Sequence, residues 1–461
     1  MKTLPILSLL LAGVLALPAA AAEPAPETSQ LRCALPALAA YLPTIRAEHR
    51  AMAARRAADR VPAPAARELW AWDLTVMPPG FRRVPATVRA QGEHCLIYVE
   101  DAEWGRTVDQ AAVDKVLATF EKGTPAHPGQ GIVDIDRAAF GDIPTGLDGE
   151  PRVLVFFTRM GRWHGQGFDG FFNSFDTLPE ATAWAEYQQH SNEAEIIYLN
   201  TDGNPPSSDY MLSVVSHELV HLLAFPHDAE ETSWVGETLG EAGMLLCGYD
   251  TDQAHARRYA SKPATPLVTE PYVSYGACLM FAAHLVDHQP PGFLKRLAAE
   301  PTHGIEGLEK TLASFGPSDG FEGLFANWTA SNLASGLGST SPDFGYRSMS
   351  APAMATTTVP ASGLVPAAAQ MQATGVRYLR FQSAGDYRLK LESTGPGPLA
   401  ALLVRAPASA VPMTEPLGRD QLDGSSSIRP AAGDVVAIYG LTPGLHSYRV
   451  GIEPASNRRR P

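Results

Sequence analysis

The sequence is short of cationic side chains, of cysteine and, beyond its first 22 residues, of long apolar runs. Its 36 Lys and Arg residues are outnumbered by 49 Asp and Glu, which gives a net charge of −13. Such a chain repels phosphate backbones, so nucleic acid is excluded as the expected partner. No later stretch is apolar over the roughly 20 residues that a membrane-spanning helix needs. We therefore expect a protein without a membrane span.

The first 22 residues have the build of a cleavable secretory signal. Lys2 precedes an apolar run at residues 4–17, and three alanines at residues 20–22 end the segment. No cysteine follows these small residues, so a lipoprotein anchor is not expected. Cleavage would remove Lys2 and leave the mature chain one unit more negative. The pattern predicts secretion to the periplasm or the extracellular space.

The four cysteines are an even count in a chain that would meet an oxidising compartment. No C-x-x-C spacing indicates a metal cluster, and three disulfide pairings are possible. We expect Cys33 to pair with Cys95, and Cys247 with Cys278, because the second bridge would tie two neighbouring helices together. Buried thiols without disulfides are the alternative.

Residues 214–223, with the sequence VVSHELVHLL, contain the pattern H-E-x-x-H. On a helix, His217 and His221 lie on one face and can offer two imidazole nitrogens to one tetrahedral zinc ion. Glu218 lies beside this row, where its carboxylate can take a proton from a water molecule whose pKa the metal has lowered towards ~7. The arrangement predicts hydrolytic chemistry.

The surrounding residues favour the metal interpretation over a chance match. An apolar stripe follows this helix, formed by Leu212, Val215, Leu219, Leu222 and Leu223. The stripe would bury two histidines and a glutamate, and buried ionisable groups need partners. Ser207, Ser208 or Asp209 can cap the start of the helix, and Pro226 ends it.

Zinc needs a third protein ligand, and two downstream residues could supply it. His227 lies six residues after His221, which gives the metzincin spacing H-E-x-x-H-x-x-A-x-x-H with Ala224 in place of the turn glycine. Ala224 resists a left-handed turn, and Pro226 restricts the turn further, so this alternative is the less favoured one.

Glu237 is the other candidate, in the helical stretch that follows. Glu237 and Glu241 lie four residues apart on one face, so the first can bind zinc while the second accepts the free ring N–H of a histidine ligand. Gly236, Gly240 and Gly243 are poor helix formers, but small residues let two helices approach closely. A solvated acidic helix face is the alternative.

The segment W-V-G-E-T-L-G-E, which follows H-E-L-V-H, resembles the W-L-N-E-G-x-x-E segment of the Glu-zincin metallopeptidases. The chain is similar in particular to the hyicolysin-type family of secreted neutral zinc proteases. Further segments resemble that family, at residues 94–100, 192–200 and 274–277. Together the matches span about residues 90–335. The chain departs from the family at Gly236, usually Asn, and at Val220, often Gln, and neither is a ligand position.

The resemblance implies a metal site and roles for several residues. The implied ligands of one zinc ion per chain are His217, His221 and Glu237. Glu241 would accept a hydrogen bond from the free ring N–H of a histidine ligand, and Glu218 would be the general base for peptide-bond hydrolysis. Tyr275 could hydrogen-bond the tetrahedral oxyanion, as a tyrosine does in several Glu-zincins.

The function implied is that of a secreted zinc endopeptidase acting on a peptide or protein substrate. Residues 196–199 resemble the edge strand that holds extended peptide beside the metal in zincins, with an ordinary core strand as the alternative. An alternative function is that of a zinc-containing but catalytically inactive binding protein that displays a C-terminal β-sandwich. The intact Glu218 favours the enzyme, because the fold does not require it.

The expected fold class is α+β. It comprises a zincin-like catalytic domain, with a mixed sheet, an active-site helix and a helical subdomain, followed by a small all-β sandwich. Helical spacing is predicted at residues 272–287, 291–299, 305–314 and 321–333. The predicted divisions are a signal peptide at residues 1–22, an N-terminal helical extension or pro-segment at 23–88, the zincin-like metallopeptidase domain at 89–335, a linker at 336–370 and the β-sandwich domain at 371–454.

Overall fold

The computed structural model describes residues 31–33, 43–46, 63–76, 78–144, 146–163, 166–269, 274–336, 344–405, 414–417 and 426–455. The predicted signal at residues 1–22 lies outside these ranges. Within them the chain combines a mixed β-sheet, α-helices and two further β-sheets, which agrees with the α+β class at this level.

The N-terminal half is built on one sheet with the strand order β1-β7-β8-β5-β4-β3-β2, and β6 pairs with β7. The strands are β1 (Leu31–Cys33), β2 (Ala66–Asp73), β3 (Gly80–Gln91), β4 (Cys95–Glu100), β5 (Val153–Thr158), β6 (Arg162–Trp163), β7 (Gln166–Phe172) and β8 (Ile196–Asn200). The neighbours β4, β5 and β8 run parallel, while β3 and β7 pair antiparallel with β4 and β8. The sheet is therefore mixed.

The three central strands read as nearly unbroken apolar runs, CLIYVE, VLVFFT and IIYLN, and all their residues are buried. This composition is typical of strands that are covered on both faces. Neighbouring side chains point to opposite faces, so Ile97 packs into the core under the helices while Tyr98 packs into a second core on the other face. The sheet thus separates two hydrophobic cores.

The N-terminal part of the sheet differs from the predicted helical extension at residues 23–88. Strand β2 pairs with β3, and β3 spans residue 88, so the predicted boundary falls inside a strand. The helix itself is predicted at residues 35–60, of which residues 43–46 have no regular secondary structure and the others lie outside the described residues. The local sequence of β2 and β3 could not reveal strands that are stabilised by partners further along the chain.

Of the two alternatives for residues 196–199, the structure confirms the ordinary core strand and contradicts the edge strand. These residues belong to β8, which lies between β7 and β5. A five-residue apolar run that is buried on both faces fits a central strand better than an edge. The sheet instead continues past β7 to β1, where Cys33 lies opposite Gly170 in a parallel register.

Helices cover one face of the sheet and continue along the chain. They are α1 (Gln110–Glu121), α2 (Ile132–Phe140), α3 (Glu180–Thr182), α4 (Asp209–Ala224), α5 (Ser233–Leu246), α6 (Gln253–Ser261), α7 (Tyr275–His288), α8 (Phe293–Ala298), α9 (Gly304–Ser314) and α10 (Gly320–Gly336). Short helical turns also occur at Ser174–Thr177 and Ala183–Tyr187. The last four helices confirm the helical prediction after residue 248. Among the described residues, no helix is long and apolar enough to cross a membrane.

Helices α4 and α5 pack closely because glycine faces the contact. A Cβ atom on Gly240 would lie 2.7 Å from the His217 ring, and one on Gly243 would lie 2.6 Å from Val220. Gly236, by contrast, has open space where its Cβ would be. The expectation that small residues bring the two helices together is therefore confirmed for two of the three glycines.

The C-terminal part consists of two sheets. The four-stranded sheet has the order β10-β17-β12-β15, and the five-stranded sheet has the order β14-β13-β16-β11-β9. Their strands are β9 (Thr357–Val359), β10 (Leu364–Gln372), β11 (Val376–Phe381), β12 (Tyr387–Ser393), β13 (Leu399–Val404), β14 (Thr414–Leu417), β15 (Ser426–Ile428), β16 (Val435–Gly440) and β17 (Leu445–Pro454). Side chains of both sheets, such as Leu389 and Ile438, form one buried cluster.

The predicted linker at residues 336–370 is wrong in its second half, because β9 and most of β10 fall within it. These strands pair with partners as distant as β17, which local composition does not reveal. The five-stranded sheet also packs against α10. The Tyr439 ring lies 5.2 Å from the Phe325 ring, and the Tyr378 hydroxyl donates to the carbonyl oxygen of Thr329 at 3.3 Å. The C-terminal sheets are therefore joined to the helical core.

The glycine contacts make a prediction about stability. Alanine is favoured over glycine inside a helix by about 1 kcal/mol. Gly236→Ala should therefore raise the Tm, because its new methyl group enters open space. Gly240→Ala should lower the Tm, because its methyl group would displace the His217 ring. Thermal unfolding of both variants tests this, and an equal rise in Tm would contradict the close packing of α4 on α5.

Candidate metal centre

Helix α4 carries the two histidines of the H-E-x-x-H motif. Its first turn is capped by Ser208, whose side chain accepts a hydrogen bond from the backbone N–H of Met211. This selects Ser208 from the three residues that could have capped the helix. His217 and His221 lie one turn apart and are buried, and their Nε2 atoms are 3.1 Å from each other.

Helix α5 brings a carboxylate to the same point. The Oε2 atom of Glu237 lies 3.2 Å from the Nε2 atom of His217, and its Oε1 atom lies 3.7 Å from the Nε2 atom of His221. One turn further, the Oε1 atom of Glu241 lies 4.0 Å from the Nδ1 atom of His217. The structure thus brings the first glutamate to the Nε2 atoms of the two histidines and the second to the Nδ1 side of the His217 ring.

The spacing of these atoms fits a zinc ion. Tetrahedral zinc bonded to nitrogen and oxygen at ~2.0–2.2 Å separates its ligand atoms by roughly 3.3–3.6 Å. The two Nε2 atoms are 3.1 Å apart, and the Glu237 carboxylate lies 3.2 Å from that of His217 through Oε2 and 3.7 Å from that of His221 through Oε1. The Cys33 sulfur joins this group, and the four ligand atoms all lie within 4.8 Å of one another. These four residues form a cluster that could hold a metal ion.

The electrostatic environment keeps a histidine in its metal-binding form. Burial lowers the pKa of His221 to about 4; the positive charge of a protonated His217 would add to this decrease, while Glu237 opposes it. At neutral pH the imidazole is therefore uncharged and has a lone pair available for a metal.

Glu218 lies fully buried on the side of the cluster that faces the sheet. A Cβ atom on Gly170 would lie 2.7 Å from its Cγ atom, so the glycine in β7 lets this strand pass beside the carboxylate. The Cys33 thiol donates to the Oε2 atom of Glu218 at 3.6 Å. The predicted base therefore lies next to the metal cluster and beside β1.

Tyr275 also lies at the cluster. It begins α7, where the Ser274 side chain accepts a hydrogen bond from the N–H of Ala277. The Tyr275 hydroxyl donates to the backbone carbonyl oxygen of Cys33 at 2.8 Å. Burial raises the pKa of this phenol well above its usual value, so it remains a hydrogen-bond donor.

His227 lies apart from the cluster. It is exposed, follows the end of α4, and its backbone N–H donates to the carbonyl of Ala224. Its ring lies near Gly141, where a Cβ atom would be 3.2 Å from the Nε2 atom. Of the two candidates for third ligand, the structure places Glu237 beside the histidines and His227 elsewhere.

The predicted disulfides are wrong. All four cysteines lie in described and buried positions, and none of them forms a disulfide. The thiol of Cys247 contacts Asp136 and Ser216, and that of Cys278 donates to the carbonyl of Trp234 at 3.6 Å. Cys95 lies on β4, far in the sheet order from Cys33 on β1. An even cysteine count predicts pairing only where the fold brings the residues together.

Cys33 is the cluster member that sequence reasoning missed as a possible ligand. It is 185 residues from Glu218 along the chain, and nothing near it resembles a metal motif. Only the parallel pairing of β1 with β7 brings its side chain to the cluster. No signal in the sequence could have found it.

A cleft of about 660 Å³ opens beside the cluster and is lined by His221 and Glu237. Its apolar lining includes Phe172, Val220, Phe225, Leu239 and Leu297. Glu230 and Glu231 also line it, and so do residues 43–45 of the N-terminal segment. The cleft has the volume of a site for a side chain or a small ligand.

The third ligand can be tested by mutation. Glu237→Ala removes an anionic donor and should lose zinc on dialysis. Glu241→Ala should weaken zinc binding by about 10- to 100-fold, because a group that only orients a ligand contributes that much. His227→Ala should keep its zinc. Metal content is measured after dialysis, with circular dichroism to exclude unfolding. Zinc loss in His227→Ala with retention in Glu237→Ala would contradict the assignment.

No protein-family model and no curated protein matches the chain. PliG from Aeromonas hydrophila, a periplasmic lysozyme inhibitor of g-type lysozyme, is 16% identical over 22% of this chain and 97% of its own, with a TM-score of 0.18. The pre-peptidase C-terminal domain of collagenase from Bacillus anthracis is 7% identical over 22% of this chain and 100% of its own, also at 0.18. BtGH115A, a GH115 4-O-methyl-α-glucuronidase, is 8% identical over 68% of this chain and 53% of its own, at 0.13. Similarity this low identifies neither a fold nor an activity.

Proposed function

We propose that the protein is a secreted zinc endopeptidase whose metal is held by His217, His221 and Glu237. The observation that carries the proposal is the convergence of two imidazole nitrogens, 3.1 Å apart, with one carboxylate, whose two oxygens lie 3.2 and 3.7 Å from them, beside a cleft of about 660 Å³. The H-E-x-x-H helix and the downstream glutamate give the donor set of a Glu-zincin on this sequence. Secretion follows from the leader at residues 1–22.

The chain's own residues supply the proton transfers. When bound, zinc lowers the pKa of water and polarises a carbonyl oxygen. Glu218 then takes the water proton and later delivers it to the leaving amine nitrogen. The buried position of its carboxylate beside the cluster supports this role.

Glu241 is a positioning residue in this scheme. Its Oε1 atom lies 4.0 Å from the Nδ1 atom of His217, on the side of the ring away from Glu237. A carboxylate there favours the tautomer with the proton on Nδ1 and leaves Nε2 free for the metal. The ring is thereby held in its binding orientation.

Tyr275 contributes a hydrogen-bond donor for a peptide carbonyl. Its hydroxyl already donates to one backbone carbonyl, that of Cys33. A substrate carbonyl in the same place would receive the same bond, which strengthens as negative charge develops on the oxygen. The apolar lining of the neighbouring cleft suits an apolar side chain of a peptide substrate.

A second candidate function is that of a zinc-containing binding protein without turnover. The observation in its favour is Cys33, which adds a fourth donor to the cluster. Four protein ligands are typical of structural zinc sites, whereas catalytic sites keep one position open. Against it stands Glu218, a buried carboxylate at the cluster that a structural site would not need.

The endopeptidase proposal is tested with Glu218→Gln. The protein should contain about one zinc per chain and hydrolyse casein, with loss of activity on chelation. The variant should keep its zinc, because Glu218 is not a ligand, while its turnover should fall by about 10²- to 10⁴-fold, the usual contribution of a general base. Zinc content and casein hydrolysis are measured together. A variant that turns over casein as fast as the parent would rule out this base.

A further inference from the structure

Strand β1 covers the metal cluster on one side. Cys33 is the last residue of the strand, is fully buried, and lies opposite Gly170 of β7. Its sulfur is within 4.8 Å of the ligand atoms of His217, His221 and Glu237. Soft thiolate sulfur is a preferred zinc ligand. Both the chemistry of Cys33 and its position therefore suit a fourth metal ligand.

The backbone of β1 occupies the edge of the sheet beside the cluster. It is the terminal strand of the sheet and pairs in parallel with β7 at residues 168–170. Without β1, this part of β7 would offer backbone groups for an extended peptide to pair with. The carbonyl oxygen of Cys33 also accepts a hydrogen bond from the hydroxyl of Tyr275 at 2.8 Å. Metal cluster, strand edge and phenol donor are all in contact with one short strand.

A second part of the N-terminal segment lines the neighbouring cleft. Ile45 is buried in a small apolar cluster with Phe175, Leu178, Ala183 and Tyr187. It lines the same cleft as His221 and Glu237. The backbone N–H of Arg46 donates to the Tyr187 hydroxyl at 2.9 Å, and its guanidinium pairs with Glu186. The segment is thus anchored at a point separate from Cys33.

We propose that Cys33 is a fourth zinc ligand and that residues 31–33 and 43–46 form a built-in inhibitor of the metal site. The proposal rests on the zinc endopeptidase function proposed above. With Cys33 bound the site has four protein ligands and is closed, and with Cys33 removed it has three and is open. Binding breaks the S–H bond and forms a sulfur–zinc bond, and the proton passes to the carboxylate of Glu218, 3.6 Å from the sulfur. The base and the metal are therefore both occupied in the closed form.

The ligand is tested by replacing zinc with Co²⁺ in the full-length chain. A thiolate bound to cobalt gives a sulfur-to-metal charge-transfer absorption in the near ultraviolet, which oxygen and nitrogen ligands do not give. The parent should show this absorption and Cys33→Ser should lack it. Cys95→Ser is the matched control, because it removes another fully buried thiol that lies outside the cluster. Its spectrum should equal that of the parent.

Inhibition is tested with the zinc-loaded proteins on casein. Cys33→Ser should hydrolyse casein several-fold faster than the parent, because the loss of the sulfur ligand opens one position on the metal. Ile45→Asp places an uncompensated charge in the apolar anchor and should also raise the rate while all four metal donors remain. Because it leaves the cysteine in place, this variant keeps the test informative should Cys33→Ser fail to fold. Cys95→Ser should match the parent.

The outcomes separate the two proposals. A cobalt-loaded parent without the sulfur absorption, or with an absorption that survives in Cys33→Ser, overturns ligation by Cys33. An active parent that neither Cys33→Ser nor Ile45→Asp accelerates overturns inhibition. If the sulfur absorption behaves as expected but none of these proteins hydrolyses casein, the inhibitor and the endopeptidase both fail, and a closed structural metal site remains. Activity of Cys33→Ser that disappears on adding Glu218→Gln supports both.

Discussion

The close approach of helices α4 and α5 is the constraint on which the rest of the site depends. Each helix alone presents only part of the donor set, two imidazoles on one and two carboxylates on the other. Gly240 removes the side chain that would stand between them, so that the ring of His217 can lie against the backbone of α5. Glu237 and Glu241 then meet opposite edges of that ring. The glycines lower helix propensity but allow the metal geometry.

The same packing concentrates ionisable groups in a dry interior. Glu218, Glu237 and Glu241 are all at most 2% exposed, together with His217. Carboxylates lose several kcal/mol of hydration when buried, and a divalent cation among them offsets this loss. Metal binding should therefore contribute to the stability of the folded chain as well as to its chemistry. A fourth buried acid, Asp136, accepts a hydrogen bond from Ser216, and both side chains lie beside Gly243 of α5.

Much of this site could be predicted from local sequence because its geometry is helical. The spacing of His217 and His221, and that of Glu237 and Glu241, is fixed by the pitch of a helix, and such patterns can be recognised in a short window. The four helices α7 to α10 were equally accessible, whereas α6 was not predicted. The pairing of the strands could not be predicted in this way. Strand β8 has the composition of a central strand, but only the whole sheet reveals its neighbours. The position of β1, and with it the role of Cys33, depends on a partner more than a hundred residues away.

The position of Cys33 connects strand β1 to the candidate metal site. In the closed arrangement the sulfur would add to metal affinity, and the strand that carries it would add backbone hydrogen bonds to β7. Both gains favour a stable molecule with no free position on the metal. Opening the site would remove one ligand and the pairing of β1 with β7. It would also release the carboxylate of Glu218, the hydroxyl of Tyr275 and the edge of β7 from their contacts with β1. In the proposed mechanism, one cysteine on a three-residue strand would therefore control access to Glu218, Tyr275 and the metal.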